Sequence, residues 1–467
     1  MEGVRVARAI GASTVIAVAM AVACSAAGAE TLESALAKAY QNNPQLNAQR
    51  AIVRQTDETV PQALSGYRPQ ISITSSAGAQ YTDTKVLSSV GGLQIHEEGR
   101  TLPRAGGITG QQTLFNGFQN ANKTRQAESN VSAARETLRV MEQTILLGAA
   151  TIYMDVLRDM ASLEVQRSNV RVLTETLRQT RDRFNVGEVT RTDVAQAEAQ
   201  LAAGQSALHG AESTLVTSRG NYRRIIGVEP VALAPGAPVD RLSPSTLPAA
   251  IVVGVAQNPA VTAAMFGIDA AVLAVKVAEG ALYPKLTFSG SVQQQYDAAL
   301  TTPQLFTASA LFGLTIPLYQ GGAEYSAIRQ SKEVVGQQRL NLDQMRDQAR
   351  ATVVQSWGQL EAAKAQILAA QQQVTASEVA LNGVREEARV GQRTTLDVLN
   401  AQQALVNARV ALVTAQHDRV VASYSLLSAV GRLSPGVLRL PTAVYDPMVH
   451  YQQIRDSWFG VRTPDGR

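Results

Sequence analysis

The chain has 467 residues, and its 42 Lys and Arg against 38 Asp and Glu leave a formal charge of only +4. Charged residues make up 17% of the chain, below the quarter typical of soluble globular domains, and no Lys/Arg cluster marks a nucleic-acid-binding surface. The single cysteine, Cys24, excludes a disulfide scaffold and a cysteine-based zinc site.

The first predicted element is a secretory signal peptide over residues 1–29. Arg5 and Arg8 form its positively charged region, and Ala9–Ala23 is an apolar run. Ala27-Gly28-Ala29 then offers small residues at a cleavage site. The pattern predicts export across the inner membrane.

Cys24 could alternatively be a lipid-acceptor cysteine. Ala21 disfavours this alternative, because a large aliphatic residue is usual at that position. No later segment is predicted to span a membrane as a helix, since even Val261–Leu282 is interrupted by three charged residues. A membrane location would therefore require β-strands.

The mature chain is predicted to contain two structural repeats, because several motifs recur at a fixed spacing. The first repeat covers 30–227 and the second 248–431, with a linker at 228–247 and a tail at 432–467. Motifs that precede the predicted strands recur 215 residues later (43 and 258), whereas motifs that follow the strands recur 204 residues later (186 and 390). The first copy therefore carries eleven extra residues in one exposed loop. The recurring motifs are Asn43-Pro44 with Asn258-Pro259, Pro69-Gln70-Ile71 with Pro284-Lys285-Leu286, Leu114-Phe115-Asn116-Gly117 with Leu318-Tyr319-Gln320-Gly321, and Val186-Gly187 with Val390-Gly391.

Each repeat is predicted to contain one very long helix, at about 120–186 and 324–390. Neither stretch contains proline, and each would be about 100 Å long, which favours a rod or tube over a compact domain. Two shorter helices accompany each long one, at 31–66 and 192–226, then at 248–281 and 395–430. Apolar residues at strict heptad spacing predict a packed seam along each long helix: Ala149, Val156, Leu163, Val170, Leu177 and Phe184 in the first, and Val353, Leu360, Ile367, Val374, Leu381 and Ala388 in the second.

Four segments alternate apolar with small or polar residues, which predicts β-strands at about 70–82 and 105–115, then at 285–297 and 305–318. Runs of this length suit transmembrane strands, and the alternative is soluble hairpins packed on the helices. Four strands cannot close a barrel alone, and open edges are not tolerated in lipid. Several chains must therefore contribute to one barrel, and the strand count leaves a dimer, a trimer or a larger assembly open.

The tip of each long helix carries a turn motif. Gly187 and Gly391 end the long helices, where glycine tolerates the left-handed conformation. Thr190 with Asp193, and Thr394 with Asp397, fit a capping box at the start of the next helix.

These motifs resemble the TolC family of outer-membrane channel-tunnels, which serve efflux pumps and type I secretion systems. The resemblance rests on Arg183-Phe184-Asn185-Val186-Gly187 with Thr192-Asp193-Val194, and on Val390-Gly391 with Arg393-Thr394 and Asp397-Val398. It implies a membrane α+β protein, with four strands per chain in a twelve-stranded barrel shared by a trimer. It also implies a periplasmic coiled-coil barrel continuous with the strands, and an equatorial belt that includes the linker and the tail.

The resemblance also implies roles for the tips. In this family, links between the tip helices hold the periplasmic mouth of the tunnel shut and act as a latch. Arg393 matches the arginine of this latch, and Thr192 and Asp193 match its acceptors on a neighbouring helix. Asp397 matches the aspartate of the lumen constriction. Two departures imply a weaker latch and a less negative ring, since Ala388 replaces a latch tyrosine and Asn400 a second ring aspartate. The adaptor-docking turns would be those around Gly187 and Thr190, and around Gly391 and Thr394.

No catalytic motif is found, so the chain is not expected to be an enzyme, and no cofactor or metal is expected. The carboxylates on the helices are expected to lie on solvated faces or to pair with residues four positions away, and the histidines are expected at the surface, at positions 96, 209, 417 and 450. The expected partners are two further copies of the chain, a periplasmic adaptor, an inner-membrane pump or ABC exporter, and outer-membrane lipid. The alternative function is a non-porous periplasmic scaffold or adaptor. The cargo stays open between drugs, siderophores and secreted protein.

Overall fold

The structure is a computed structural model that describes residues 29–87, 94–464 and 466. The predicted signal peptide, apart from Ala29, lies outside the described residues, and so does Cys24. The described helices, in chain order, are α1 (Leu32–Asn42), α2 (Pro44–Asp57), α3 (Thr59–Leu64), α4 (Gln119–Asn185), α5 (Arg191–Ile226), α6 (Leu247–Gln257), α7 (Pro259–Glu279), α8 (Ala323–Arg389), α9 (Thr395–Ala429) and α10 (Pro447–Ile454).

The two longest helices, α4 and α8, have 67 residues each and match the predicted spans to within a residue at either end. α4 packs against α5 and α7, α8 packs against α9 and α7, and α4 also packs against α9. Most of the predicted heptad seam is buried, which confirms the periodicity. Val170, Ile367, Val374 and Ala388 are half-buried, and Phe184, near the end of α4, is exposed.

The shorter helices that precede the strands are not continuous, contrary to the prediction of single helices at 31–66 and 248–281. α1 ends at Asn42 and α2 begins at Pro44, and the same break separates α6 from α7 at Asn258. Asn43 and Asn258 both have extended backbone, as the residue before a proline prefers, and each side chain caps the following helix.

The described strands are β1 (Gln70–Ala77), β2 (Gln80–Leu87), β3 (Gln94–Thr101), β4 (Arg104–Asn116), β5 (Lys285–Ala299) and β6 (Thr302–Thr315). They form one antiparallel four-stranded sheet in the order β1-β4-β5-β6, with a separate hairpin of β2 and β3. The central pair, β4 and β5, joins strands from the two halves of the chain.

The extra residues of the first half form structure rather than an irregular loop. The predicted strand at 70–82 is interrupted after Ala77, and the chain continues as the β2–β3 hairpin before it returns to the sheet. The backbone N–H of Gly78 donates to the carbonyl of Pro103, 3.0 Å away, and closes the base of this hairpin. The eleven additional residues therefore lengthen two strands beyond the main sheet.

The hydrophobic core lies around the middle of α4, where α1, α5, α9 and the linker meet. Four buried tyrosines fill it, and the hydroxyl of Tyr153 donates to the carbonyls of Glu30 and Ala234 at 2.7 Å each. The linker is held to α9 as well, because Asp240 pairs with Arg419. The core tyrosines are Tyr40, Tyr153, Tyr222 and Tyr424.

Two of the described helical stretches are long and apolar enough to cross a membrane by length and composition alone, Gln119–Asn185 and Leu247–Leu282. This differs from the expectation that no segment after the signal peptide would qualify. In the first stretch 44% of the most apolar window is buried, as in the core helix of a bundle. In the second only 17% is buried, so α6 and α7 present uncovered apolar side chains.

Candidate functional site

The first tip turn connects α4 to α5 and has the predicted geometry. Gly187 has a φ of +81°, and the N–H of Glu188 donates to the carbonyl of Arg183 at 2.9 Å, which closes the end of α4. Thr190 caps α5, since its hydroxyl accepts from the N–H of Asp193 at 3.3 Å. The carboxylate of Asp193 accepts in return from the N–H of Thr190 at 2.8 Å. The capping box is confirmed, and both termini of the turn are fixed.

The second tip turn, between α8 and α9, repeats this arrangement. Gly391 has a φ of +79°, and the N–H of Gln392 donates to the carbonyl of Glu387 at 2.9 Å. Asp397 accepts from the N–H of Thr394 at 3.0 Å and from its hydroxyl at 2.9 Å. The backbone hydrogen bond and then the hydroxyl hold the pKa of Asp397 below its usual value, so this carboxylate is anionic at neutral pH.

Each tip also carries one arginine–glutamate ion pair across its turn. Arg183 binds Glu188 at 2.8 Å in the first tip, and Nε of Arg393 donates to Glu387 at 2.8 Å in the second. The side chains of Thr192 and Asn400 are exposed, and Asp193 is engaged with its own cap. Within the described part of one chain, no ion pair joins Arg393 to Asp193. Their pairing stays a prediction about the assembled protein.

Above the tips, α4, α5 and α9 meet in a small apolar cluster of Leu173, Leu177, Ala197 and Leu399. A groove of about 910 Å³ runs beside it between α4 and the α8–α9 end, and Ala388 and Thr395 are among the residues that line it. The two helical hairpins, α4–α5 and α8–α9, therefore contact each other near the tips, and open space lies on one side of this contact.

Two hydrogen bonds between polar side chains cross this contact. Arg385 of α8 donates to the side-chain oxygen of Gln402 at 3.1 Å, and the amide of Gln402 donates to Asn169 of α4 at 3.4 Å. Asn169 and Gln402 are both buried. Buried amides that bind each other fix the register between helices, because any slip would leave them without partners.

A second, charged cross-link joins α4 to α9 about 30 Å from the tip, measured along α9 from Asp397. Nε2 of His417 lies 3.0 Å from Asp155 of α4, and Nδ1 lies 2.8 Å from Asp418. Arg158 binds Asp155 at 2.9 Å. With a carboxylate beside each ring nitrogen, only the doubly protonated imidazolium carries an N–H at both nitrogens and a positive charge between the two carboxylates.

The expectation that the histidines lie at the surface is wrong for His417 and His450, which are both buried. His450 lies on α10, with Nδ1 3.1 Å from the fully buried carboxylate of Asp57. The expectation of solvated carboxylates is likewise wrong for Asp57 and Asp159. Asp159 could have been found, because it lies three residues after Val156, at the second core position of the heptad.

The two faces of the four-stranded sheet differ in chemistry. On one face, Ser72, Thr109, Ser291 and Ser309 are directly paired across all four strands. Their hydroxyls lie 2.7 Å apart in the β1–β4 pair and 2.9 Å apart in the β5–β6 pair. The opposite face is apolar and exposed, and it includes Ile71, Ile73, Ile108, Phe312 and Leu314. This arrangement suits a wall with water on one side and lipid on the other.

Among the described residues, no group of three or more histidine, cysteine, aspartate or glutamate side chains is placed to hold a metal ion. The tips themselves carry capped turns, ion pairs and buried hydrogen bonds. Such groups can hold helices together or release them.

A protein family described as "Outer membrane efflux protein" matches residues 35–228 and 254–432 of the chain. The outer membrane efflux protein BepC of Brucella suis biovar 1 (strain 1330) is 42% identical over 448 residues, which cover 95% of this chain and 94% of BepC. The outer membrane protein TolC of Escherichia coli (strain K12) is 25% identical over 444 residues, which cover 90% of this chain and 86% of TolC.

The fold also matches a solved structure. The CmeC outer membrane channel of Campylobacter jejuni superposes with a TM-score of 0.76 at 15% sequence identity, over 91% of this chain and 89% of CmeC. At that identity the likeness concerns the fold alone.

Proposed function

Because the chain belongs to the outer membrane efflux protein family, and so lies in the outer membrane, we propose that three copies form a passive exit duct. An inner-membrane pump or exporter supplies the energy and a periplasmic adaptor connects it to the duct. We infer an efflux pump rather than a type I secretion system as the partner, since the relative at 42% identity is named an efflux protein.

The observation that carries the proposal is the four-stranded sheet with its apolar outer face and its row of hydroxyls. β1 and β6 each pair with only one strand within the described chain. An edge strand in lipid would leave its backbone N–H and C=O groups without partners, which costs several kcal/mol for each group. Pairing of β6 in one copy with β1 in the next removes both edges.

A trimer then gives twelve strands. Two copies would reach the eight strands of the smallest barrels, so the number three rests on the resemblance to the family. The uncovered apolar side chains of α6 and α7 support a neighbouring protomer, since a monomer would expose them to water. The equal lengths of α4 and α8 support an internal duplication, with the linker and the start of the tail in an equatorial belt.

The tips are proposed to form the periplasmic gate. Arg393 would bind Asp193 and Thr192 of a neighbouring helix pair and hold the mouth closed. Asp397, with Asn400 one turn further on, would form a ring around the lumen. The rigid, exposed turns around Gly187, Thr190, Gly391 and Thr394 are the proposed docking points of the adaptor. Docking would break the ion pairs and favour the open state.

The proposal is tested by extracting the protein from outer membranes with detergent, measuring the mass of the complex and recording its conductance in planar bilayers. A complex of three chains that forms small, cation-preferring pores is expected. Release without detergent as a monomer that forms no pores would contradict the proposal and favour the non-porous periplasmic scaffold.

A further inference from the structure

We propose that Trp458 and Phe459, near the end of the C-terminal tail, form an interfacial anchor that inserts into the periplasmic leaflet of the outer membrane. This anchor rests on the proposed function in one respect, namely that the four-stranded sheet crosses the bilayer. It adds a lipid contact made by a segment outside both helical hairpins and outside the strands.

The tail runs toward the membrane end of the molecule through a series of contacts. His450 lies 3.1 Å from Asp57, at the end of α2. Nη2 of Arg455 lies 3.8 Å from a carboxylate oxygen of Glu128, which is nine residues, about 14 Å, from the start of α4. Each contact lies closer to the strands than the one before.

The last of these contacts fixes Trp458 at the level where the sheet begins. Nη1 of Arg68 donates to the carbonyl of Ser457 at 2.6 Å, and the guanidinium carbon lies 4.7 Å from the centre of the Trp458 ring. Arg68 stands two residues before Gln70, the first residue of β1. Because its backbone leads directly into the strand, the indole is placed at the periplasmic end of the sheet.

Trp458 and its neighbours are uncovered despite these contacts. Trp458 is 66% exposed, Phe459 is 94% exposed and Val461 is 100% exposed. Three large apolar side chains at one chain end would be unfavourable in water, and such patches mark a surface that binds something apolar.

The surroundings identify lipid as the occupant. Exposed aromatic side chains adjoin the strands at the same level, with Tyr67 before β1, Phe118 after β4, Tyr283 before β5 and Tyr319 after β6. Such residues form the aromatic belt at the membrane–water interface, where indole rings partition most readily. Arg462 and Arg68 add positive charge, which suits the phosphates of lipid headgroups.

The anchor can be located by fluorescence, because the chain has only two tryptophans, Trp357 and Trp458. Trp357→Phe leaves Trp458 as the single indole. The full-length variant is reconstituted into phosphatidylethanolamine–phosphatidylglycerol vesicles that contain a brominated phosphatidylcholine. The bromines lie either near the headgroup end of the acyl chains or near their methyl ends. The protein can insert into the vesicle in either direction. In both cases the tail lies beside the leaflet on the side of the helices, so both orientations report the same contact.

Trp458 emission is expected to be quenched more by the bromines near the headgroups than by the deep ones, and to resist quenching by aqueous iodide. The matched control is Trp458→Phe, which keeps only Trp357, 34 residues or about 50 Å along α8 from its start. Neither brominated lipid should quench that control. Arg68→Met should reduce the difference between the two lipids, because the indole then loses its tether.

Trp458 emission that is quenched by iodide but by neither brominated lipid would overturn the proposal. Trp458 emission that is quenched neither by iodide nor by either lipid would also overturn it, because the indole would then lie in a protein contact. Conductance is recorded from the same vesicles. Conducting pores with an unquenched Trp458 would reject the anchor and leave the exit duct standing. Vesicles without pores and without shallow quenching would indicate instead that the sheet does not cross the bilayer.

Discussion

Arg393 is already engaged within its own turn, by Glu387, so any latch between tips must compete with a pair inside one chain. Both partners are largely solvated, and exposed ion pairs of this kind contribute little to stability. In the proposed trimer their value would lie in selecting between two arrangements of similar free energy, and three copies around an axis would multiply that bias.

If Arg393 forms the proposed latch, Arg393→Ala should raise the leak of large antibiotics into cells, because the variant lacks the cation that would hold neighbouring tips together. The measurement is antibiotic uptake at equal surface expression. Arg389→Ala is the matched control, since Arg389 makes a similar pair with Glu386 on the same helix. An unchanged leak in the Arg393 variant would remove the latch assignment.

Thr394→Ala should loosen the first turn of α9 without unfolding the protein. Loss of an N-cap costs about 1 kcal/mol, and the carboxylate of Asp397 then also loses a donor. Faster amide hydrogen exchange is expected over 395–398. Thr192→Ala, inside the first turn of α5 and exposed, serves as the control and should leave exchange in that turn unchanged. Equal protection in both variants would argue against the cap.

His417 gives the α4–α9 contact a pH dependence. Burial lowers the pKa of His417, but the hydrogen bonds to Asp155 and Asp418 outweigh burial and raise it above its usual value. A group whose pKa is raised in the folded state stabilises the protein fully below its unfolded pKa, and that contribution is lost as the pH rises through the folded pKa.

The thermal stability of the detergent-solubilised protein is accordingly expected to fall as the pH is raised above about 6.5, the ordinary pKa of histidine. His417→Gln should make this part of the profile flatter. His209→Gln is the control, because His209 is exposed and its side chain binds Glu212 of its own helix rather than a second helix. Parallel profiles for wild type and the His417 variant would show that this cluster does not titrate in the range.

At the scale of elements, the long helices and both tip turns could be predicted because their signals are local: a heptad repeat, a glycine, and a threonine three residues before an aspartate. The helix breaks at Asn43 and Asn258 also have a local signal, an asparagine before a proline, because the residue before a proline disfavours helical backbone. Burial of His417 and His450 could not be predicted, since it depends on which distant helix packs against each one.

The β2–β3 hairpin is an addition to the sheet rather than part of its hydrogen-bonded core. Deletion of residues 80–101 should leave the four-stranded sheet intact, because β1 and β4 pair with each other without it. The expected result is a variant that still assembles in the outer membrane and conducts like wild type in a planar bilayer. A matched deletion of β6 should abolish assembly. Failure of the hairpin deletion to insert would assign this extension a structural role.

At the scale of the whole molecule, the charge around the proposed periplasmic mouth depends on how copies of the chain assemble, so a single chain does not show it. If three copies of Asp397 face one lumen, they attract cations and can be blocked by multivalent ones. The sequence predicts four strands in each chain, but not how many chains meet, because closure depends on curvature and on contacts between copies.

Asp397→Asn should abolish block by trivalent cations and reduce the cation preference of single channels. Asparagine can still accept the capping hydrogen bonds, so the variant removes charge and keeps the turn. Asp182→Asn, near the other tip and paired with Arg178, removes the same charge away from the proposed ring. Undiminished block in the Asp397 variant would place the constriction elsewhere.

The pairing of β4 with β5 has a consequence for the order in which the protein folds. Asn116 of β4 pairs with Lys285 of β5, 169 residues later, so the central pair of the sheet joins segments that lie far apart in the sequence. Closing a loop of that length is slow compared with winding a helix. During export β1 and β4 can pair with each other early, but the other edge of β4 must wait for β5 until most of the chain has been secreted. The four-stranded sheet should therefore be completed late, and the open edge of β4 exposes the chain to aggregation until β5 arrives.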